Sequence, residues 1–219
     1  MAPARYVTPA GPQAEYEPGS RGRVLCNRLG IQRKRVMDRA EHAVMMRARS
    51  RWLGRIARDT RFKASLLCQM HRDWLGGIYE WAGQYRTVEL AKGGFRWPPA
   101  YLIPRHMANF ERGILRENTP CRPGRTEQVA RCIAQVHAEL LLIHPFREGN
   151  GRLARWLADL MAFQAGLPPP AYRLAGKGAN ARKLQYLEAV SRGYLRDYGL
   201  LEAFFLDAFE RRAREGGDS

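Results

Sequence analysis

Twelve consecutive residues, His144-Pro145-Phe146-Arg147-Glu148-Gly149-Asn150-Gly151-Arg152-Leu153-Ala154-Arg155, combine a base, a hard-metal ligand, an anion cradle and two guanidinium groups. His144 follows the apolar run Leu141-Leu142-Ile143, so packing can hold its backbone while its ring faces a loop. Imidazole titrates near neutrality and can take a proton from a hydroxyl. Four residues on, Glu148 offers oxygen ligands suited to Mg²⁺, an ion commonly held by one or two carboxylates together with phosphate oxygens. Gly149-Asn150-Gly151 then opens a helix. Glycine lets backbone N–H groups come close to an anion, and a helix N-terminus favours negative charge. Arg152 and Arg155 stand three apart on the first turns and complement phosphate, whereas two cations at a positive helix end would otherwise be poorly placed. The set describes a nucleotide-phosphate site.

The elements that must position this segment are mostly helical. Residues 1–22 are rich in Pro, Gly and Ala and read as an extended, flexible arm with little to bury. Val36, Ala40, Val44, Ala48, Trp52 and Ile56 recur every four residues, an amphipathic helix flanked by Arg47, Arg51, Arg55 and Arg58. A second helix is predicted from about Arg61 to Tyr79. Alternation in Tyr85–Leu90, interrupted by Lys92-Gly93-Gly94 and closed by Pro98-Pro99, predicts a short β-hairpin over about 86–99. Helices resume at about 101–118. Thr126 is the expected N-cap of the next helix, which carries Val129, Ile133, Val136 and Leu140 on one face and stops before Pro145. The helix opened at Gly149–Asn150 buries Leu153, Trp156, Leu157, Leu160 and Met161 and ends at Gly166. Two more follow at about 180–195 and 199–214. The fold class is all-α, a helical bundle with one hairpin.

The 219 residues fit one domain, and no apolar run approaches the ~18–20 residues that a membrane span needs. No secretory signal is visible at the N-terminus. Cys26, Cys68, Cys121 and Cys132 form no CxxC pair, so free thiols in a reducing cytoplasm are expected. The 37 basic against 21 acidic residues give a net charge of +16, of which 14 basic and 3 acidic residues at 21–63 supply +11. Such a stretch attracts polyanions, nucleic acid among them, or is simply a solvated helix face. His137-Ala138-Glu139 is not followed by PCxxC, so a zinc-deaminase reading fails and a packed helix histidine is expected. His71 and Trp74 read as core residues of the second helix. Phe95 and Trp97 on the hairpin serve either target contact or edge protection.

HPFREGNGRLAR matches the Fic signature HxFx(D/E)GNGRxxR in full. Tyr79-Glu80-Trp81-Ala82-Gly83-Gln84-Tyr85-Arg86 resembles the lead into the Fic flap, Lys92-Gly93-Gly94-Phe95 resembles its tip, and Leu141-Leu142-Ile143 is similar to the apolar lead-in to the motif. The resemblance covers about 24–210. It implies a Fic domain at 23–212, with the flap at about 86–99 and the motif at 144–155, preceded by the arm and followed by a tail at 213–219.

Such a protein would move AMP from ATP to a Ser, Thr or Tyr hydroxyl of a target protein and release pyrophosphate. By that likeness His144 is the general base and Glu148 holds Mg²⁺ on the α and β phosphates. The Gly149, Asn150 and Gly151 backbone and the Asn150 side chain form an anion hole. Arg152 takes the β-phosphate, Arg155 the γ-phosphate, and Phe146 anchors the loop. The flap would pair with an extended target segment as an added strand. Tyr186 would stack on the base, with Asn180 or Arg182 at its edge. Kinases of the family lack the second glycine, so Gly151 favours AMP transfer. The alternatives are a kinase or other nucleotidyl or phosphate-group transferase on the same fold, and a basic nucleic-acid-binding module without catalysis. The family's inhibitory (S/T)xxxE(G/N) has no match: Arg211-Arg212-Ala213-Arg214-Glu215-Gly216 carries Arg at the first position. Either a separate small antitoxin protein restrains the enzyme, as the toxin of a toxin-antitoxin pair, or the chain is not restrained in that way; the first is the expectation.

Overall fold

The computed structural model describes residues 13–176 and 178–217. Seven α-helices are labelled here among them: α1 Lys34–Leu53, α2 Ala64–Leu75, α3 Ile103–Phe110, α4 Thr126–Ile143, α5 Asn150–Gln164, α6 Ala179–Gly193 and α7 Gly199–Gly217. Between α2 and α3 lies one antiparallel hairpin, β1 Ala91–Lys92 with β2 Phe95–Arg96. α3 continues through a widened turn at Glu111–Leu115 to Asn118. The chain divides into two compact units. One comprises Met1–Arg55, Lys63–Asn109 and Ile143–Leu153, the other Ile56–Phe62, Phe110–Leu142 and Ala154–Ser219.

In the first unit, α1 packs on α2 through Met37, Met45, Ala48 and Trp52, and the Trp52 indole N–H donates to Asp73 Oδ2 at 3.1 Å. The expected stripe holds in its second half, where Ala48, Trp52 and Ile56 are buried, and fails in its first: Val36 is exposed, Ala40 and Val44 are half-buried, and the position facing inward at the centre of α1 is a carboxylate, Glu41. Counting strictly by fours drifts off a helix of 3.6 residues per turn, and a charged residue on the inner face is invisible to a search for apolar periodicity. Arg35, Arg39, Arg47 and Arg51 lie on the exposed side of α1.

The hairpin is shorter than the sequence predicts. Only two residues on each side pair, Ala91 with Arg96 and Lys92 with Phe95, and Trp97 N–H donates to Leu90 O at 3.1 Å to extend the contact. Gly93 and Gly94 both have positive φ, +57° and +81°, as a two-residue primed turn requires.

The N-terminal arm needs correction over its described part. Gln13 is buried, its amide exchanges hydrogen bonds with Tyr85 O and Thr87 N, and Tyr16 bridges Leu25. Residues 13–22 are therefore held by polar contacts, which a low apolar content does not reveal. Residues 1–12 of the expected arm lie outside the described residues. The expected tail is likewise helical as far as Gly217, where α7 ends and where Glu215 pairs with Arg173 at 2.5 Å.

The second unit is built on α4. Ile133, Ala134, Ala138 and Leu140 are fully buried, as are Met161 of α5 and Leu201, Phe205 and Ala208 of α7. At Gly193 of α6 an added Cβ would lie 2.8 Å from the Ala138 Cβ, so the close approach of those helices demands glycine. Gln164 closes α5: its Nε2 donates to Thr60 O at 2.7 Å and its Oε1 accepts from Cys121 N at 3.0 Å. The histidine of α4 sits wholly inside, and His137 Nε2 shares a 2.7 Å hydrogen bond with the Tyr186 hydroxyl.

Burial, and secondarily Arg155, lowers the pKa of His137 to about 3. The unfolded chain takes up this proton near pH 6.5, while the folded chain refuses it until near pH 3. The contribution is therefore fully present above pH 6.5 and is lost as pH falls toward 3, with a limiting slope of about 1.4 kcal/mol per pH unit. Urea unfolding of wild type and His137→Gln at pH 7 and 4.5 checks it, since the acid-induced loss should be smaller by about 2 kcal/mol in the variant.

Candidate active site

His144 is the first residue after α4, with φ +52°, and only 8 % of it is exposed. Its ring lies 4.2 Å from that of Trp97, at the exit of the hairpin. This left-handed backbone ends the helix and swings the chain into the motif loop. Non-glycine residues hold such a conformation only where surroundings fix it. Here the fixing group is Arg86, itself buried. Its guanidinium donates to His144 O at 2.8 Å, Val88 O at 2.9 Å and Pro98 O at 2.5 Å, while its own N–H donates to Pro145 O at 2.8 Å. One side chain thus ties the base of the hairpin to the residue carrying the imidazole. Burial lowers its pKa to about 10, and Glu89 partly offsets this, so it remains a cation at neutral pH.

The next residues build the loop. Phe146 is fully buried and stacks on the His71 ring with centroids 4.0 Å apart and planes 8° from parallel. Asn150 closes the turn: its Oδ1 accepts Phe146 N–H at 2.9 Å and its Nδ2 donates to Phe146 O at 2.7 Å. The Asn150 amide thus braces the loop through its oxygen and one of its two N–H groups, a duty the expected anion hole did not include. Arg147, at an unspecified position of the motif, is buried and donates through Nε to Gln13 O at 2.6 Å.

His71 does more than pack. Its Nδ1 accepts from Gly83 N–H at 2.8 Å, so Nε2 must carry the proton that bridges to Glu148 O at 3.0 Å. Burial, with a smaller contribution from Arg152, depresses its pKa to about 4 and keeps this tautomer neutral.

Glu148 and Arg152 form the polar face. A Glu148 carboxylate oxygen accepts Gly149 N–H at 3.1 Å and lies 3.6 Å from Arg152 Nη2. The amide that opens α5 thus already faces an anionic oxygen, as the first N–H groups of a helix favour. Gly149 has φ +88°, and an added Cβ there would lie 2.9 Å from the Trp74 ring, so no other residue fits. Arg152 Nη1 donates to Glu41 Oε2 at 2.6 Å, and its guanidinium lies over the Trp74 ring at 4.6 Å. Gly151, on the first turn, is partly exposed.

In the second unit, Arg155 O accepts from the Tyr172 hydroxyl at 3.1 Å and its guanidinium stands 6.0 Å from the Tyr186 ring centroid. Tyr186 is buried among His137 and Phe204. Its ring is a core element there, which corrects the expectation that it stacks on a base. Arg182 is engaged as well, pairing with Asp207 at 2.5 Å and lying 4.1 Å from the Phe204 ring centroid. Tyr186 lies inward on the same face of α6 as Ala189 and Val190, and its hydroxyl meets His137.

Sequence reasoning missed Glu41, Arg86 and Gln13 and gave His71 and Trp74 only packing roles. Each partners a motif residue distant in sequence. The only local signal was a charged residue, Glu41, inside a helical apolar register.

Residues 61–162 match the model of the Fic/DOC family. Protein adenylyltransferase VbhT of Bartonella schoenbuchensis is 29% identical over 74% of this chain, which spans only 33% of that protein. The probable protein adenylyltransferase Fic of Salmonella typhimurium is 29% identical over 88% of this chain and 90% of its own length. Among solved structures, the N-terminal FIC domain of Bep8 from Bartonella sp. 1-1C aligns with a TM-score of 0.68 over 85% of this chain and 90% of that one, at 19% identity. BepC of Bartonella tribocorum, solved with bound AMPPNP, gives a TM-score of 0.66 over 84% and 91%, also at 19% identity. The protein has a Fic fold, and its residues 61–162 are similar to the Fic/DOC family.

Arg86→Lys preserves the charge but cannot serve three carbonyls in a planar fan. It should cost about 2–4 kcal/mol of stability and loosen the hairpin, read as a lower urea midpoint and faster proteolysis at Gly93-Gly94.

Proposed function

We propose that the protein transfers AMP from ATP to a hydroxyl of a target protein and releases pyrophosphate. The observation that carries this reading is the meeting of the Glu148 carboxylate, the Gly149 amide and the Arg152 guanidinium at the start of α5, with His144 four residues upstream of Glu148 on the motif loop. The names of the relatives at 29% identity support the same activity.

The His144 imidazole takes the proton of the target hydroxyl as that oxygen attacks the α-phosphorus. The bond from the α-phosphorus to the bridging oxygen breaks, and pyrophosphate leaves. The amides that open α5 and Arg152 neutralise the charge that develops on the phosphate oxygens, and by family likeness Arg155 takes the γ-phosphate. Most of the acceleration in such transfer comes from positioning and electrostatics, with one base for the nucleophile. Among the described residues there is no cluster of three His, Cys, Asp or Glu side chains that could hold a metal ion. A lone carboxylate suits an ion whose remaining ligands are phosphate oxygens and water, which fits Mg²⁺ held by Glu148. When bound, that ion would supply charge neutralisation on the α and β phosphates.

The hairpin supplies the docking strand in this reading. Phe95 and Arg96 are exposed, so the main chain of an extended target segment could add beside them and bring its hydroxyl to His144 without demanding particular side chains.

The test uses a cell lysate, Mg²⁺ and ATP labelled either in the α- or in the γ-phosphate. Relative to the same lysate without the added protein, proteins should gain α-label and no extra γ-label, and His144→Ala should slow that gain by about 10²–10⁴-fold, the usual worth of a general base. Transfer of γ-label would make the protein a kinase. Equal labelling by the alanine variant would remove the base from the mechanism.

A further inference from the structure

We propose that Glu41 is a positioning residue for nucleotide binding, fixing Arg152 in the orientation that meets the phosphates. This rests on the AMP-transfer reading and adds a residue from outside the motif. Glu41 lies on α1, 111 residues from Arg152, and its carboxylate is almost wholly shielded from solvent. One carboxylate oxygen accepts the Tyr79 hydroxyl at 2.6 Å and the other accepts Arg152 Nη1 at 2.6 Å. Even the backbone of Glu41 is engaged, its carbonyl accepting the Trp74 indole N–H at 3.0 Å. That same indole lies beneath the guanidinium, 4.6 Å from its central carbon. Arg152 is thus gripped at its edge by a carboxylate and on its face by a ring, and its other edge leans toward Glu148 at 3.6 Å.

A fold needing only a filled interior at this point would be served at least as well by an apolar residue, because burying a carboxylate is costly and its pairing often only breaks even. The Arg152 side chain is 31% exposed, so water could satisfy it without Glu41. What the buried carboxylate adds is direction. A long, flexible side chain is confined to one pose before nucleotide arrives, which lowers the ordering cost of binding.

Glu41→Gln keeps the volume and an oxygen for Tyr79 but cannot accept from Arg152 through its amide nitrogen. Calorimetric titration with ATP and with AMP, both with Mg²⁺, should show E41Q binding ATP about tenfold more weakly. AMP, which lacks the β-phosphate assigned to Arg152, should bind E41Q as it binds wild type. The double variant E41Q/R152A should bind ATP no more weakly than R152A, because both changes remove one coupled unit. Tyr79→Phe, which leaves both charges and frees one fastening, should weaken ATP about two- to fivefold, and it carries the test if E41Q does not fold. Wild-type affinity for ATP in E41Q or Y79F, equal losses for AMP and ATP, or additive losses in the double variant would each overturn the proposal. A wild-type protein that binds no ATP would instead overturn the AMP-transfer reading and this proposal together.

Discussion

A loop that leaves regular secondary structure inside a protein must find a partner for each backbone polar group it buries, and the motif loop of this protein lives under that constraint. Four residues of it, His144 through Arg147, are buried between the end of α4 and the start of α5. The solutions come from side chains rather than from a ladder. Arg86 answers the carbonyl of His144, its backbone answers Pro145, Asn150 answers both groups of Phe146, and His71 answers Glu148. A positive φ at His144 and another at Gly149 become tenable because these bonds leave the chain no alternative course.

That constraint sorts the motif residues into two kinds. Phe146, Arg147 and Asn150 spend their side chains inward, on a histidine ring, a backbone carbonyl and the loop's own peptide. Glu148 and Arg152 keep polar atoms on the accessible side, and the His144 ring lies against Trp97 of the hairpin. A motif can therefore be contiguous and still be divided between residues that build the loop and residues that keep polar atoms accessible. Arg86, from outside the motif, also accounts for the order of so short a hairpin. Its two-residue strands make little ladder of their own, and Arg86 secures its base through Val88 and Pro98.

Much of this was legible in the sequence, and the boundary has a physical reason. The helices announced themselves through apolar spacing, and α4, α5, α6 and α7 begin within about a residue of where spacing and Gly-Asn-Gly place them. The reactive groups were legible because twelve adjacent residues carry them. The supports were not, because Glu41, Arg86 and Gln13 reach motif residues across 111, 58 and 134 positions. No local pattern encodes such pairs. Tyr186 shows the opposite error: an aromatic residue near the expected nucleotide pocket was given to the ligand, yet the buried face of its helix and a hydrogen bond shared with His137 hold it inside.

Trp74 shows how tightly these roles are coupled. The sequence presents it as an ordinary interior aromatic, and it is indeed almost fully buried. Its indole nitrogen is bonded to the Glu41 carbonyl, the edge of its ring leaves room for nothing larger than glycine at position 149, and its face carries the Arg152 guanidinium. Moving the ring would therefore disturb a helix, a turn and the Arg152 guanidinium together. A glycine in a nucleotide motif is usually explained by the approach of phosphate to backbone. At Gly149 the hydrogen-only side chain is demanded equally from behind, by the protein's own tryptophan, so the cradle is shaped on its inner wall before any nucleotide reaches the outer one.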